Sequence, residues 1–184
     1  MISTADFSNG VYIKVADKLY RITWFQHHKP GKGPAIMRVK MKDVLGGATI
    51  ERTFRGGEKF ESPEVTRTSV TYSYESGDSL VFMDKDYEQH EVSKGAMGIG
   101  EKFLVEDMKV VIVMTEGKII DVELPPSVEM EVEYSEPGAK GDTVSNTLKP
   151  AKLKNGLEVK VPLFINEGDR IKVDTRSGKY LERV

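Results

Sequence analysis

Apolar and polar residues alternate along much of this chain with the period of two that marks a half-buried β-strand. The clearest run is Ala35-Ile36-Met37-Arg38-Val39-Lys40-Met41-Lys42. Strand periodicity sends Met37, Val39 and Met41 to one face and Arg38, Lys40 and Lys42 to the other, the latter spaced at roughly 6.5–7 Å. Runs rich in β-branched and aromatic residues also cover 11–15, 19–25, 35–41, 66–74, 80–82, 110–114 and 119–124. Between them stand Gly46-Gly47, Gly56-Gly57, Ser76-Gly77-Asp78, Glu116-Gly117 and Asn155-Gly156, all turn formers. Helical hints are confined to residues 92–97 and 102–107, and the glycine-rich stretch 95–100 reads as a turn. The pattern predicts an all-β chain of small barrels or sandwiches.

Two seams divide it. Phe60-Glu61-Ser62-Pro63 follows a glycine-rich hairpin, and Leu124-Pro125-Pro126-Ser127 pairs two prolines that cannot donate to a ladder. The expected modules are residues 1–62, 63–126 and 127–184. Modules this small have limited cores and are expected to pack on one another.

Composition narrows the class. The absence of cysteine excludes disulfide scaffolds and thiolate metal sites. The first residues do not read as a signal peptide, and no apolar run reaches the 18 residues of a membrane span, so a cytoplasmic protein without membrane contact is expected. The net charge of -2 conceals segregation. Residues 1–62 carry 11 Lys/Arg against 6 Asp/Glu, residues 63–126 carry 6 against 13, and residues 127–184 carry 10 of each. A basic first third suggests a polyanionic partner.

The candidate chemistry lies in that third. HHKPGKGPA, residues 27–35, joins two predicted strands and reads as a loop with His27, His28, Lys29 and Lys32 at its tip. Its centre is the palindrome Pro30-Gly31-Lys32-Gly33-Pro34. The prolines limit the loop's free conformations, and the glycines remove side chains from beside Lys32. The result is a slim, braced cation fit for a narrow space. With Arg38, Lys40 and Lys42 leading into it, the arrangement suits a phosphate backbone better than the solvated strand face that the stripe alone would suggest.

Other chemistry is weaker. The loop lacks the spacing and the Ser/Thr of a Walker A motif. A Schiff-base lysine would want burial, which a glycine-flanked tip does not promise. Asp84, Asp86, Glu88, His90 and Glu91 could be drawn as a metal site, but alternation on an acidic strand accounts for them, and neither metal nor cofactor is expected. No Ser-His-Asp set has a spacing signal.

These residues carry a resemblance. Lys29-Pro30-Gly31-Lys32-Gly33, after an aromatic-rich strand and before Ala35-x-x-Arg38-x-Lys40, resembles the tip loop of bacterial translation elongation factor P. Gly141-Asp142-Thr143 resembles that family's Gly-Asp-Thr loop, and the run from Lys149-Pro150-Ala151 to Phe164 resembles its C-terminal signature. Gly168-Asp169-x-Ile171-x-Val173-Asp174-Thr175 with Tyr180 and Arg183 resembles its terminus.

The resemblance implies an SH3-like N-terminal barrel followed by two OB-fold barrels, in an elongated outline like a transfer RNA. It implies a non-enzymatic, monomeric factor that binds the 70S ribosome beside peptidyl-tRNA and helps join consecutive prolines. Lys32 would reach the peptidyl end, in many members enlarged by a modifying enzyme. Gly141, Asp142, Thr143, Tyr180 and Arg183 would meet RNA, including messenger RNA. Departures are His28, where the family is usually apolar, Val144 and Asn146 after the Gly-Asp-Thr loop, and Pro34. The Pro-Gly-Lys-Gly-Pro form resembles a subset whose lysine works unmodified. The eukaryotic and archaeal relative lacks the third barrel, so residues 127–184 place the resemblance on the bacterial branch. A generic RNA-binding barrel and a lysine-dependent enzyme using Lys32 are the alternatives.

Overall fold

The computed structural model describes residues 1–137 and 147–184. The chain is all-β, with 56% of residues in strands and 5% in helices, arranged as three β domains. Among the described residues no helix is long and apolar enough to cross a membrane. The chain falls into two compact units, residues 1–68 with 112–121 and residues 69–111 with 122–184.

The first strands are β1 (Ile2–Ser3), β2 (Tyr12–Val15), β3 (Lys18–His28), β4 (Ile36–Asp43), β5 (Thr49–Arg55) and β6 (Lys59–Phe60). They form a four-stranded sheet in the order β2-β3-β4-β5 and a small β1-β6 ribbon. Alternation in β4 resolves as expected: Met37, Val39 and Met41 are buried, Arg38 and Lys40 are exposed and Lys42 is half-buried. The buried set packs with Phe7, Ile13, Tyr20, Ile22, Phe54 and Phe60. Phe54 and Phe60 meet edge to face at 4.7 Å between ring centroids, an arrangement the ring quadrupoles favour. In the same unit, Asp121 Oδ2 accepts hydrogen bonds from the Tyr12 hydroxyl and the Arg21 guanidinium, each at 2.9 Å.

The next sheet has the order β11-β10-β7-β8-β9. Its strands are β7 (Thr66–Ser76), β8 (Ser79–Met83), β9 (Gln89–Ser93), β10 (Lys109–Thr115) and β11 (Lys118–Glu123). Leu80, Val81 and Phe82 are buried in succession, the signature of a strand covered on both faces. The last sheet, β14-β13-β12-β15-β16, contains β12 (Ser127–Ser135), β13 (Leu148–Leu153), β14 (Glu158–Pro162), β15 (Arg170–Asp174) and β16 (Tyr180–Arg183). Its core of Met130, Val132, Ala151, Leu153, Val159, Val161, Ile165, Ile171 and Val173 also takes in Phe103, which is fully buried. Phe103 ends a 3-10 helix, Gly98–Phe103, and the preceding Lys102 carbonyl accepts a hydrogen bond from Asn155 Nδ2 at 2.8 Å.

Three local readings are corrected. β5 and β12 to β16 are not among the strand runs named from the sequence, and β9 is only part of the acidic strand read there; β5 and β9 are edges of their sheets, and each buries a single side chain, Phe54 or Val92. The helical hint at 92–97 straddles the end of β9 and a turn. The hint at 102–107 lies mostly beyond the helix, because Leu104 is already extended at φ -67 and ψ 127.

Candidate functional site

The β3–β4 hairpin positions the site. His27 faces Met37 and His28 faces Ile36 in the ladder, so both histidines belong to β3 and the loop spans residues 29–35. That corrects the expectation that they sit at the loop's tip. Pairing stops where Pro30 withdraws a backbone donor and restricts the residue before it.

The two glycines of the palindrome are not equivalent. Gly33 holds φ +119, a conformation that L side chains rarely adopt, and a Cβ there would sit 3.7 Å from the Pro30 ring. Gly31 has no such φ, and a Cβ there would meet nothing within 4 Å. Gly33→Ala is therefore expected to change the loop's conformation and Gly31→Ala to leave it, as amide shifts of residues 30–34 would show.

The loop's second foot is anchored. The Ala35 carbonyl accepts a hydrogen bond from Gly56 N–H at 2.7 Å. A Cβ on Gly56 would lie 3.0 Å from both the Cβ and the carbonyl oxygen of Ala35, so any side chain there would push Ala35 away by a few tenths of an ångström. Buried Thr4 ties down the same turn: its Oγ1 accepts from Gly57 N–H at 2.9 Å and its own N–H donates to the Glu58 carbonyl. Neither Gly56 nor Thr4 was legible as part of the site; Gly56-Gly57 carried only a turn signal.

On this support Lys32 is exposed and makes no hydrogen bond or ion pair with any described residue. Lys29, Gly31, Gly33 and Pro34 are exposed beside it, with Pro30 half-buried. The stripe behind it is more committed than alternation suggested. Arg38 Nη2 donates to Glu51 Oε1 at 2.7 Å, and Lys40 Nζ lies 5.5 Å from the centre of the Trp24 ring. Lys42 has neither an ion pair nor a ring contact among the described residues.

The remaining candidates scatter. Gly141, Asp142 and Thr143 lie outside the described residues, as do Val144 and Asn146. The Tyr180 ring packs against the C-terminal core. Arg183 stacks over Phe164 at 5.8 Å and lies 3.9 Å from Asp169. Asp84, Glu88 and His90 come together as potential ligands, but the strand alternation offered for the acidic residues is wrong for Asp84, Asp86 and Glu88. Those three form the turn between β8 and β9, in which Asp84 Oδ1 accepts from the amides of Asp86 and Glu88. Asp84 Oδ2 bonds His90 Nε2 at 2.9 Å.

Chiefly that histidine bond, helped by the two amides and opposed by desolvation, holds the Asp84 carboxyl below its ordinary value. A depressed carboxyl stabilises the fold above its unfolded pKa and loses that effect as pH falls through the folded value. The stability difference between wild type and Asp84→Asn is therefore expected to shrink as pH falls below about 4, read by urea unfolding across pH.

The elongation factor P of Mycobacteroides abscessus is 51% identical over 185 residues, spanning all of this chain and 99% of the relative. That of Endomicrobium trichonymphae is 50% identical over 184 residues, spanning both chains completely. The chain belongs to the elongation factor P family. Three models of that family match in order: the KOW-like domain at residues 3–60, the OB domain at 65–122 and the C-terminal domain at 128–183. The all-β reading, with an SH3-like barrel and OB folds, thus stands. A solved structure titled as eukaryotic translation initiation factor 5A from Methanococcus jannaschii overlaps 67% of this chain and 93% of its own, at 22% identity and a TM-score of 0.46.

Proposed function

We propose that this chain binds the ribosome beside peptidyl-tRNA and promotes peptide-bond formation at consecutive prolines, with Lys32 directed at the peptidyl-transferase centre. The observation that carries the reading is the tip itself: an exposed cation, without a partner among the described residues, on a hairpin whose foot is hydrogen-bonded to a second turn. The proposed role asks for no proton transfer and no covalent intermediate. It acts by restraining a mobile substrate in reactive geometry, where lost freedom is worth several kcal/mol. The chain is then a factor and not an enzyme, and it needs no cofactor.

The Pro34 form resembles a subset whose lysine works unmodified, and the intact mass of protein from its native source tests whether Lys32 carries an added group, since any such group raises 20.6 kDa by a defined increment. The domain bounds proposed are 1–62, 63–126 and 127–184. The deciding experiment is reconstituted translation of a Pro-Pro message with wild type and Lys32→Ala. Equal stimulation by both would overturn the reading.

A further inference from the structure

We infer that Trp24 is a stacking platform for an unpaired RNA nucleotide, a role that rests on the reading above that this end of the chain meets RNA. Trp24 is the only tryptophan in the chain, and it is 38% exposed. Its position is a consequence of a bulge. Ile22 faces Met41 and both are buried. Two residues on, unbroken alternation would return Trp24 to the same core face. The register instead shifts between Ile22 and Trp24, leaving Thr23 as the extra residue, with its hydroxyl donating to the Lys40 carbonyl at 3.1 Å. Trp24 therefore faces Lys40 on the outward side of the sheet. Bulges re-aim side chains in this way, and here one brings a large aromatic ring out of a core that would have stabilised it.

The surroundings select the occupant. Next to the Trp24–Lys40 pair comes Gln26 opposite Arg38, and Lys42 follows on the same face of β4. The β4 side of the face thus carries three cations; Arg38 is engaged by Glu51, and Arg21, opposite Lys42, is engaged by Asp121. Lys40 lies over the indole and fixes one side of it. With an ammonium over one face, the other face of the ring is left for a base, and cations beside an aromatic ring are how single strands are held, the base on the ring and the phosphates on the ammonium groups. A duplex hides its base faces, so the occupant is an unpaired nucleotide.

The test uses the tryptophan as its own reporter. Single-stranded oligoadenylate RNA and a duplex RNA of equal length are titrated into the full chain while Trp24 emission is followed. Anisotropy of labelled RNA gives occupancy for wild type, Trp24→Val and Lys42→Gln, each checked for an unchanged melting temperature. Saturable quenching by the single strand, weaker response to the duplex, and about tenfold weaker single-strand binding by Trp24→Val are expected. Lys42→Gln should instead lower the salt slope by about one. Unchanged emission at full occupancy, or equal affinity of Trp24→Val, would overturn the platform. In Pro-Pro translation, Trp24→Val should raise the concentration needed for half-maximal stimulation. If it does not while Lys32→Ala is inactive, the platform fails and the ribosomal reading stands. An active Lys32→Ala removes that reading and leaves the quenching result to decide the platform.

Discussion

Lys32→Ala is expected to abolish stimulation of Pro-Pro synthesis and to leave the melting temperature within about 2 °C of wild type. The side chain is exposed and has no partner among the described residues, so truncating it removes no packing and no ion pair. The loop's shape does not depend on it either. That shape is set by the φ of Gly33, the ring of Pro30 and the hydrogen bond from Gly56 to Ala35. All of the loss should therefore appear at the step where the ammonium meets its target. Lys32→Arg keeps the charge but replaces a compact ammonium with a planar fork, and partial stimulation is expected from it. A melting temperature many degrees lower for Lys32→Ala would instead assign the residue a structural role.

The largest effect on stability is expected at Phe103. Its ring is fully buried among residues of the C-terminal core, and Phe→Ala in such a site costs about 3–5 kcal/mol through lost burial and the cavity left behind. In a chain of this length that lowers the transition of the unit containing residues 122–184 by roughly 10 °C. Val105→Ala, two residues on at a position 50% exposed, is the control and should be nearly silent. A fragment of residues 127–184 lacks Phe103 and should unfold at lower urea than the same residues within the full chain. Calorimetry and urea melts of the fragment and the two variants give the comparison, and a wild-type-like Phe103→Ala would contradict the shared core.

Much of the architecture is local chemistry and was legible in the chain. Alternation through residues 35–42 assigned Met37, Val39 and Met41 to the core and Arg38 and Lys40 to solvent, because pleat geometry needs no distant information. Pro30 and Pro34 marked an interruption between strands, since proline cannot extend a ladder. The exposure of Lys32 followed from its glycine neighbours. These features depend on a few adjacent residues.

Tertiary structure decided whatever depends on register or on partners far along the chain. His27 and His28 are strand residues because Met37 and Ile36 stand opposite them. Trp24 faces outward because of one inserted residue, and a bulge leaves no mark in an alternation pattern that is itself broken there. Glu51 draws Arg38 into an ion pair across 13 positions, and Gly56 reaches Ala35 only because β4 and β5 are paired. Phe103, read as part of a short helix, belongs to a core whose other members begin at Met130. Hydrophobicity says that a side chain will be buried. Which neighbours bury it is settled only when the sheets close.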